Sequence, residues 1–459
     1  MYKKRAMRTA LVLFTRDLRI HDHPALAAAA HSARHIVPAF VIDETLLDSG
    51  FASPNRLTFL LDCLADLDRS LARCGARLVV RCSAVVEETM RLVRQIKAVA
   101  IFASADVSAH ARRREARLAA ACREVGLEFR TFPGICVVDP GMLRPSSGSD
   151  HFRVFTPYWR RWRRMPLRPI APTPARLDMP PGIALGRPPG LRELTHGAPS
   201  PELPAGGETV GRTRLAAWIR SGLRRYGVDR DDLGADASSH LSAHLHFGCL
   251  SAREIVARVI GRPGADGFLR QLCWRDFHHQ VTAAFTAIAR RDYRPRGHRW
   301  RTNRRPLEAW KRGSTGYPIV DAGMRQLARE GFLTNRARLI VASFLVKDLE
   351  VDWRLGARHF LDLLVDGDIA NNSGNWQWVA GTGNDTRPNR IFNPIAQARR
   401  FDPDGTYVRR YVRELASIEG RRVHEPWRLD PAIRRQLDYP APIVDHARAV
   451  TRWRARRQR

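Results

Sequence analysis

Along the first 130 residues, short continuous apolar runs alternate with amphipathic stretches. Thr9 to Phe14 reads as a buried strand, and His35 to Ile42, Ala76 to Arg81 and Ala98 to Ala103 as three more. Between them lie three helical stretches: the alanine-rich Pro24 to Ala30, then Pro54 to Cys74, then Ala84 to Ile96. The second carries Leu57, Leu60, Leu61, Leu64, Leu67 and Leu71 at helical spacing. Strand and helix in alternation predict an α/β domain over residues 8–135, built on a doubly wound parallel sheet.

From about Leu167 to Pro204 the periodicity disappears and Pro, Gly and Ala dominate. Residues 136–208 are therefore expected to form an interdomain linker. Beyond Thr209 the pattern has the period of a helix. Arg212 to Tyr226, Ser251 to Ile260, Phe268 to Arg290, Pro318 to Arg329, Asn335 to Asp348 and Trp353 to Val365 all read as helices, and β signals are few. The second domain, 209–459, is predicted all-α, with a frayed tail from Arg452 to Arg459.

Charge sharpens this picture. The 459-residue chain has an ordinary apolar fraction, 44%, but a net charge of +31. So basic a surface attracts polyanions, nucleic acid first. The seven cysteines form no C-x-x-C pair, so neither a disulfide framework nor a zinc site is indicated, and no metal is expected. The apolar run after the basic start, Met1 to Arg5, is too short for a signal peptide. No stretch approaches the length of a membrane span. A cytoplasmic monomer is the expectation.

Candidate chemistry concentrates in Asp366-Gly367-Asp368-Ile369-Ala370-Asn371-Asn372-Ser373-Gly374-Asn375-Trp376-Gln377-Trp378. Ionised Asp366 and Asp368 accept hydrogen bonds only, and the asparagines both donate and accept. The glycines permit close backbone approach to a flat ring. Ser238-Ser239-His240-Leu241-Ser242 places hydroxyls before a helix, which suits either an N-cap or an anion. No G-x-G-x-x-G follows the first strand, so a dinucleotide of the Rossmann kind is not indicated there. Singly, each tryptophan reads as core and each Arg–Asp cluster as a solvated face.

Together the motifs resemble those of the photolyase/cryptochrome family. The 366–378 stretch is similar to its D-G-D-x-A-x-N-x-x-x-W-Q-W flavin cradle. Gln271-Leu272-Cys273-Trp274-Arg275-Asp276-Phe277 resembles its E-L-x-W-R-E/D-F helix, and Asn335 to Asp348 its N-R-x-R-M-x-x-A-S-F-L-x-K-D. Arg16-Asp17-Leu18-Arg19, Gly316 to Ala322 and Arg390 to Pro394 are further signatures. The resemblance implies a Rossmann-like antenna domain and a helical domain holding FAD, active when reduced. It implies flavin contacts from Tyr226, Ser238, Ser239, His240, Leu241, Ser242, Gln271, Arg275, Arg338, Asp348, Asp366, Gly367, Asp368 and Asn372, with Arg338 and Asp348 paired. Trp274 and Trp378 would clamp a flipped-out pyrimidine dimer of UV-damaged DNA. Arg230, Gln271, Arg275, His278, Asn335, Arg336, Arg390 and Gln397 would surround it. Trp376, Trp353 and Trp300 would carry an oxidising hole from the flavin towards solvent.

Departures from the pattern are specific. Gln271 stands for a usual Glu, keeping the hydrogen bond but not the charge. His240 stands for an Arg near the phosphates, Leu339 for a Met and Phe332 for a Trp. Ser108-Ala109 replace the Asn-Glu of folate-using members. The implied antenna is therefore 8-hydroxy-5-deazaflavin rather than methenyltetrahydrofolate, near Arg16, Asp17, Arg19 and Asp106. The implied activity is that of a class I cyclobutane dimer repair enzyme, a carbon–carbon lyase. Rivals are a cryptochrome-like photoreceptor, against which Asn372 speaks, and a 6-4 photolyase, against which Asn335-Arg336 speak. A basic DNA-binding protein without cofactor is the remaining alternative.

Overall fold

A computed structural model describes residues 7–455. Strands β1 (Met7–Phe14), β2 (Ala33–Asp43), β3 (Val79–Ser83), β4 (Ala100–Ser104) and β5 (Glu128–Phe132) form one sheet. The order is β3-β2-β1-β4-β5, and every pairing is parallel. In register, Leu11 faces Val37 on one side and Ile101 on the other. Strand order reverses at β1, so the crossover helices cover both faces. This is why β1 is apolar without alternation: Ala10 to Leu13 are at most 1% exposed.

β5 and the helix Ala109–Glu124 were not foreseen. Strand β5 is short and half exposed. The helix buries only Ala111, Leu118 and Cys122 beneath an Arg-rich surface, which blurs its period.

The chain divides into two compact units: 1–199, 204–223 and 239–287 around the sheet, and 200–203, 224–238 and 288–459. The sheet unit thus includes most of the expected linker and the helices Glu208–Ser221, Ala252–Val259 and Ala265–Ala284. Residues 136–208 contain the helix Phe155–Trp162. Further on, the segment is pinned to the sheet. Ile36 N–H donates to Asp178 O and Val80 N–H to Leu185 O, both at 2.8 Å. Met179, Ile183 and Leu185 pack on its core. A proline-rich strap covering the β3 edge has no period to detect, which is how it resembles a tether.

The second unit has no sheet strand among its described residues. Its core is built around Trp310 and Trp353, both fully buried. The main helices are Arg304–Arg312, Pro318–Glu330, Asn335–Ser343, Trp353–Leu363, Ile369–Ala380 and Pro394–Phe401. A π-type turn, Phe344–Asp348, extends the third. Of the tail expected to fray, Arg452 to Ala455 instead close the helix His446–Ala455, which buries Ala449 and Trp453 one turn apart. Met1 to Ala6 and Arg456 to Arg459 lie outside the described residues.

Candidate functional site

In the second unit, Asp368 is the N-cap of Ile369–Ala380. Its Oδ1 accepts from the Asn371 backbone N–H at 2.8 Å and from Asn371 Nδ2 at 2.7 Å. The turn through Gly367 is closed by Asp368 N–H donating to Asp366 O at 2.6 Å. Asp366 is buried, and Arg338 Nη2 donates to both its carboxylate oxygens, at 2.9 and 2.7 Å. Arg338 Nε is held by Leu333 O at 2.9 Å. Asn372, also buried, donates from Nδ2 to Ala357 O at 3.0 Å.

One expected pair is corrected. Arg338 pairs with Asp366, not with Asp348. Ten residues of helix separate 338 from 348, about 15 Å of rise, beyond the reach of a guanidinium and a short carboxylate. Asp348 is fully buried, 2.5 Å from Nδ1 of His446. Burial pushes its carboxyl above the ordinary range, and His446 opposes that rise. His446 carries no motif signal, and only the fold brings it there.

Trp376 is 2% exposed and lies against Gly356. A Cβ at Gly356 would sit 2.2 Å from the indole, so only glycine fits. Phe360 and Trp310 flank the same ring at 5.0 and 6.1 Å between centroids. Trp353 donates its indole N–H to Asp292 at 2.9 Å. Trp300 neighbours Trp453 at 6.2 Å. Trp310, Trp453 and Asp292 were not singled out from sequence, because they sit in no recognisable motif. Trp378 is covered by the Arg390 guanidinium at 5.3 Å. Arg336 is bound to Asp231 at 3.0 Å and lies 4.0 Å over Phe401, and Asn335 is exposed. Burial raises the Tyr226 hydroxyl to about 12. Arg230 follows the short turn Tyr226–Asp229.

The loop Ser238–Ser242 bears on the anion question. Leu241, not a serine, is the N-cap of the following turn, and no side chain caps it. The Ser238 and Ser242 hydroxyls are buried without a hydrogen-bond partner, as is Gln397 Oε1. His240 takes a left-handed φ of 51°. Orphaned buried hydroxyls lose hydrogen bonding unless a ligand supplies it. They fit the phosphates of a dinucleotide better than the capping alternative does.

In the sheet unit, Ala265–Ala284 carries Gln271, Trp274 and Arg275, all half-buried, and His278, which is buried. Trp274 stacks face to face on Phe155, with ring centroids 3.7 Å apart and planes within 3°. His278 lies 5.6 Å away. Arg275 Nη1 donates to Ile135 O at 2.7 Å and Nη2 to Leu245 O at 3.3 Å. Asp276 beneath them accepts from Trp162 Nε1 and Val138 N–H, each at 2.9 Å, and burial raises it to about 6.

The strand ends of the same unit behave differently from expectation. Arg16 and Asp106 form an ion pair at 3.2 Å after β1 and β4, where the sheet order switches. Asp17 and Arg19, expected beside a pigment, are instead consumed by the fold. Asp17 accepts from Thr15 N–H at 2.6 Å and lies 2.9 Å from His23 Nε2. Burial alone would raise Asp17, but His23 and the Thr15 N–H outweigh it and bring it to about 2. Arg19 donates to the carbonyls of His21, Asp22, Gly134 and Gly248. Ser108 is the N-cap of Ala109–Glu124.

No group of three or more metal-ligating side chains occurs among the described residues, and no described helix is long and apolar enough to cross a membrane.

Comparison with known proteins identifies the family. Residues 10–177 match the family profile described as DNA photolyase, and 268–459 match the FAD binding domain of DNA photolyase. A Streptomyces griseus protein named deoxyribodipyrimidine photo-lyase is 50% identical over 97% of this chain and 98% of its own length. A class III photolyase from Agrobacterium tumefaciens has a crystal structure superimposing with a TM-score of 0.90 at 32% identity, covering 100% of this chain and 99% of its own. A Synechocystis cryptochrome also superimposes at 0.90 and 32%, covering 98% of this chain and 99% of its own.

Proposed function

Since this chain belongs to the photolyase/cryptochrome family, we propose that it repairs cyclobutane pyrimidine dimers in DNA with light, as a class I enzyme. The observation that carries this reading is the relative named deoxyribodipyrimidine photo-lyase, half identical along nearly the whole chain. The charge of +31 suits a DNA substrate.

FAD, when bound and reduced, supplies the light-driven electron that splits the cyclobutane ring. The residues of this chain supply binding and orientation. Arg338 and Asp366 fix each other, so the ring side of the site is polar but rigid, and Asn372 is anchored to Ala357 O. Asp368, Gly367 and Asp348 belong to the same set. Tyr226, Ser238, Ser239, His240, Leu241 and Ser242 take the phosphate side. The two buried hydroxyls without partners support that assignment. Gln271 and Arg275 complete the flavin contacts in this reading.

Trp274 and Trp378 act as stacking walls for the flipped dimer. Arg230, Gln271, Arg275, His278, Asn335, Arg336, Arg390 and Gln397 bind around it. Trp376, Trp353 and Trp300 relay electrons inward when oxidised flavin is reduced by light. In this reading the antenna is 8-hydroxy-5-deazaflavin, held near the Arg16–Asp106 pair at the strand ends. The protein works as a cytoplasmic monomer, and its free cysteines suit a reducing compartment.

Repair of a defined thymine dimer under blue light, with a dark control, tests the proposal. A second reading, photoreceptor without repair, is favoured by the equal structural likeness to the Synechocystis cryptochrome. Flavin photochemistry with no dimer loss would select it.

A further inference from the structure

Trp376 has Trp310 in ring contact and Trp353 on the neighbouring helix, and the two differ in what their indole N–H groups touch. Trp310 lies 6.1 Å away and is fully buried. Its Nε1–H donates to a neutral backbone carbonyl, Val341 O, at 2.9 Å. The nearby His359 is kept uncharged by burial, which lowers it to about 4. Trp353 stands three residues before Gly356, on the helix face that meets Trp376. Its Nε1–H donates to a carboxylate, Asp292 Oδ1, at 2.9 Å.

An indole that has lost an electron is a cation, and its N–H becomes a far stronger donor. A carboxylate acceptor stabilises that state more than a peptide carbonyl does. One cation works against it: the Arg354 guanidinium lies 4.8 Å over the Trp353 ring. That cation is itself neutralised, by Asp292 at 2.7 Å and Asp352 at 3.0 Å. By contrast, Trp453, the neighbour of Trp300, has the Lys347 ammonium 4.3 Å over its face.

We propose that Asp292 is a positioning residue for light-driven flavin reduction, selecting Trp353 over Trp310 as the relay by bonding its indole N–H. This rests on the tryptophan relay proposed above. In the step concerned, one electron passes from Trp353 to oxidised Trp376. Trp376 returns to neutral indole, and Trp353 carries the positive charge with its proton retained in the N–H···O pair. A thiol in solution finally returns the electron. Removing Asp292 withdraws the anionic acceptor and leaves Arg354 less well compensated over the same ring, so both effects act in one direction.

The test uses the flavin-loaded full chain with 15N-labelled tryptophan. In the dark, the Trp353 indole resonance, identified by its loss in Trp353→Phe, is followed in Asp292→Asn and Asp292→Glu. In light, flavin photoreduction with a thiol donor is timed for the same proteins. The proposal expects Asp292→Asn to move that one resonance upfield and slow photoreduction about tenfold, the difference between a charged and a neutral acceptor. Asp292→Glu should restore both. Wild-type photoreduction in Trp353→Phe would overturn the relay itself, and the proposal with it. A dead Trp353→Phe beside an unimpaired Asp292→Asn would overturn only the role of Asp292. Slowing in Asp292→Asn without movement of the Trp353 resonance would also overturn it, since the effect would then be general structural damage.

Discussion

Arg19 and Arg338 look alike in sequence, each in a motif with aspartates nearby, yet the fold uses them in opposite ways. Around Arg19 the charged groups are met within the fold, and the Thr15 and Ser104 hydroxyls are left without partners among the described residues. Its guanidinium binds four backbone carbonyls, and Asp17 is taken by Thr15 and His23. Around Arg338 the accounting stays open. Its Nε goes to Leu333 O and its Nη2 to Asp366, while Nη1 has no protein partner among the described residues. A guanidinium whose hydrogen-bonding capacity is exhausted is a structural joint, and one with capacity to spare faces a ligand. This separates the two motifs more sharply than residue type does.

The largest effect that could break the contrast is on cofactor retention. Asp368→Ala removes the acceptor of two Asn371 donors and with it the entry to Ile369–Ala380. The cap alone is worth about 1 kcal/mol, so the protein should remain folded. It should nevertheless be purified mostly without flavin, as read from its visible absorption against protein content. Full flavin occupancy would show that the open motif is not a ligand site.

Arg19→Met should do the reverse. It strands the buried carbonyls of Asp22, Gly134 and Gly248, a destabilisation of about 3–5 kcal/mol. A denaturant titration should show this as an earlier first transition. Flavin content per folded molecule should be unchanged, because each Arg19 nitrogen is already bonded within the fold.

How far each motif could be read from sequence follows the same division. Continuous apolar runs revealed β1, β2 and β4, because strands covered on both faces need no alternation. The candidate site residues Asp366, Asp368 and Asn372 stood out as a motif, since they have chemistry of their own. What was not legible depended on partners. The Arg338–Asp366 pair, the burial of Asp348 against His446, and Asp292 beneath Trp353 are all set by elements distant in sequence. The strap from 177 to 185 was hidden for another reason: it satisfies a sheet edge with backbone atoms, which leave no side-chain pattern.

A smaller effect appears in the pH dependence of the closed joint. Asp17 has a folded value near 2 against an ordinary 3.8, so its stabilisation is present above pH 4 and is lost as pH falls from 4 to 2. The shift corresponds to about 2 kcal/mol. Denaturant midpoints measured down the acid limb should fall steeply for the parent protein and less so for Asp17→Asn. Asp276 works in the opposite sense. Its folded value is raised to about 6, so the stability it contributes is present below pH 4 and is lost as pH rises through 6.

The smallest expected effect concerns the stacked pair in the sheet unit, where the open and closed descriptions meet in one indole. One face of Trp274 is closed by Phe155 at 3.7 Å, in a nearly parallel sandwich that ring quadrupoles disfavour on their own. The Arg270 guanidinium, 5.3 Å from the Phe155 ring, draws electron density from it and eases that repulsion. Phe155 then serves as a backing plate, Phe277 and His278 pack beside the indole, and the exposed remainder of the half-buried Trp274 is left for a base. Trp274→Ala should weaken binding to dimer-containing DNA by about 1–3 kcal/mol, with little change on undamaged duplex. Phe155→Leu keeps the indole but loosens its orientation, and should cost about 0.5–1.5 kcal/mol on the same substrate. Competition binding on the two DNAs separates the cases. Equal losses on damaged and undamaged duplex for both variants would mean that Trp274 is closed on every side, a joint like Arg19.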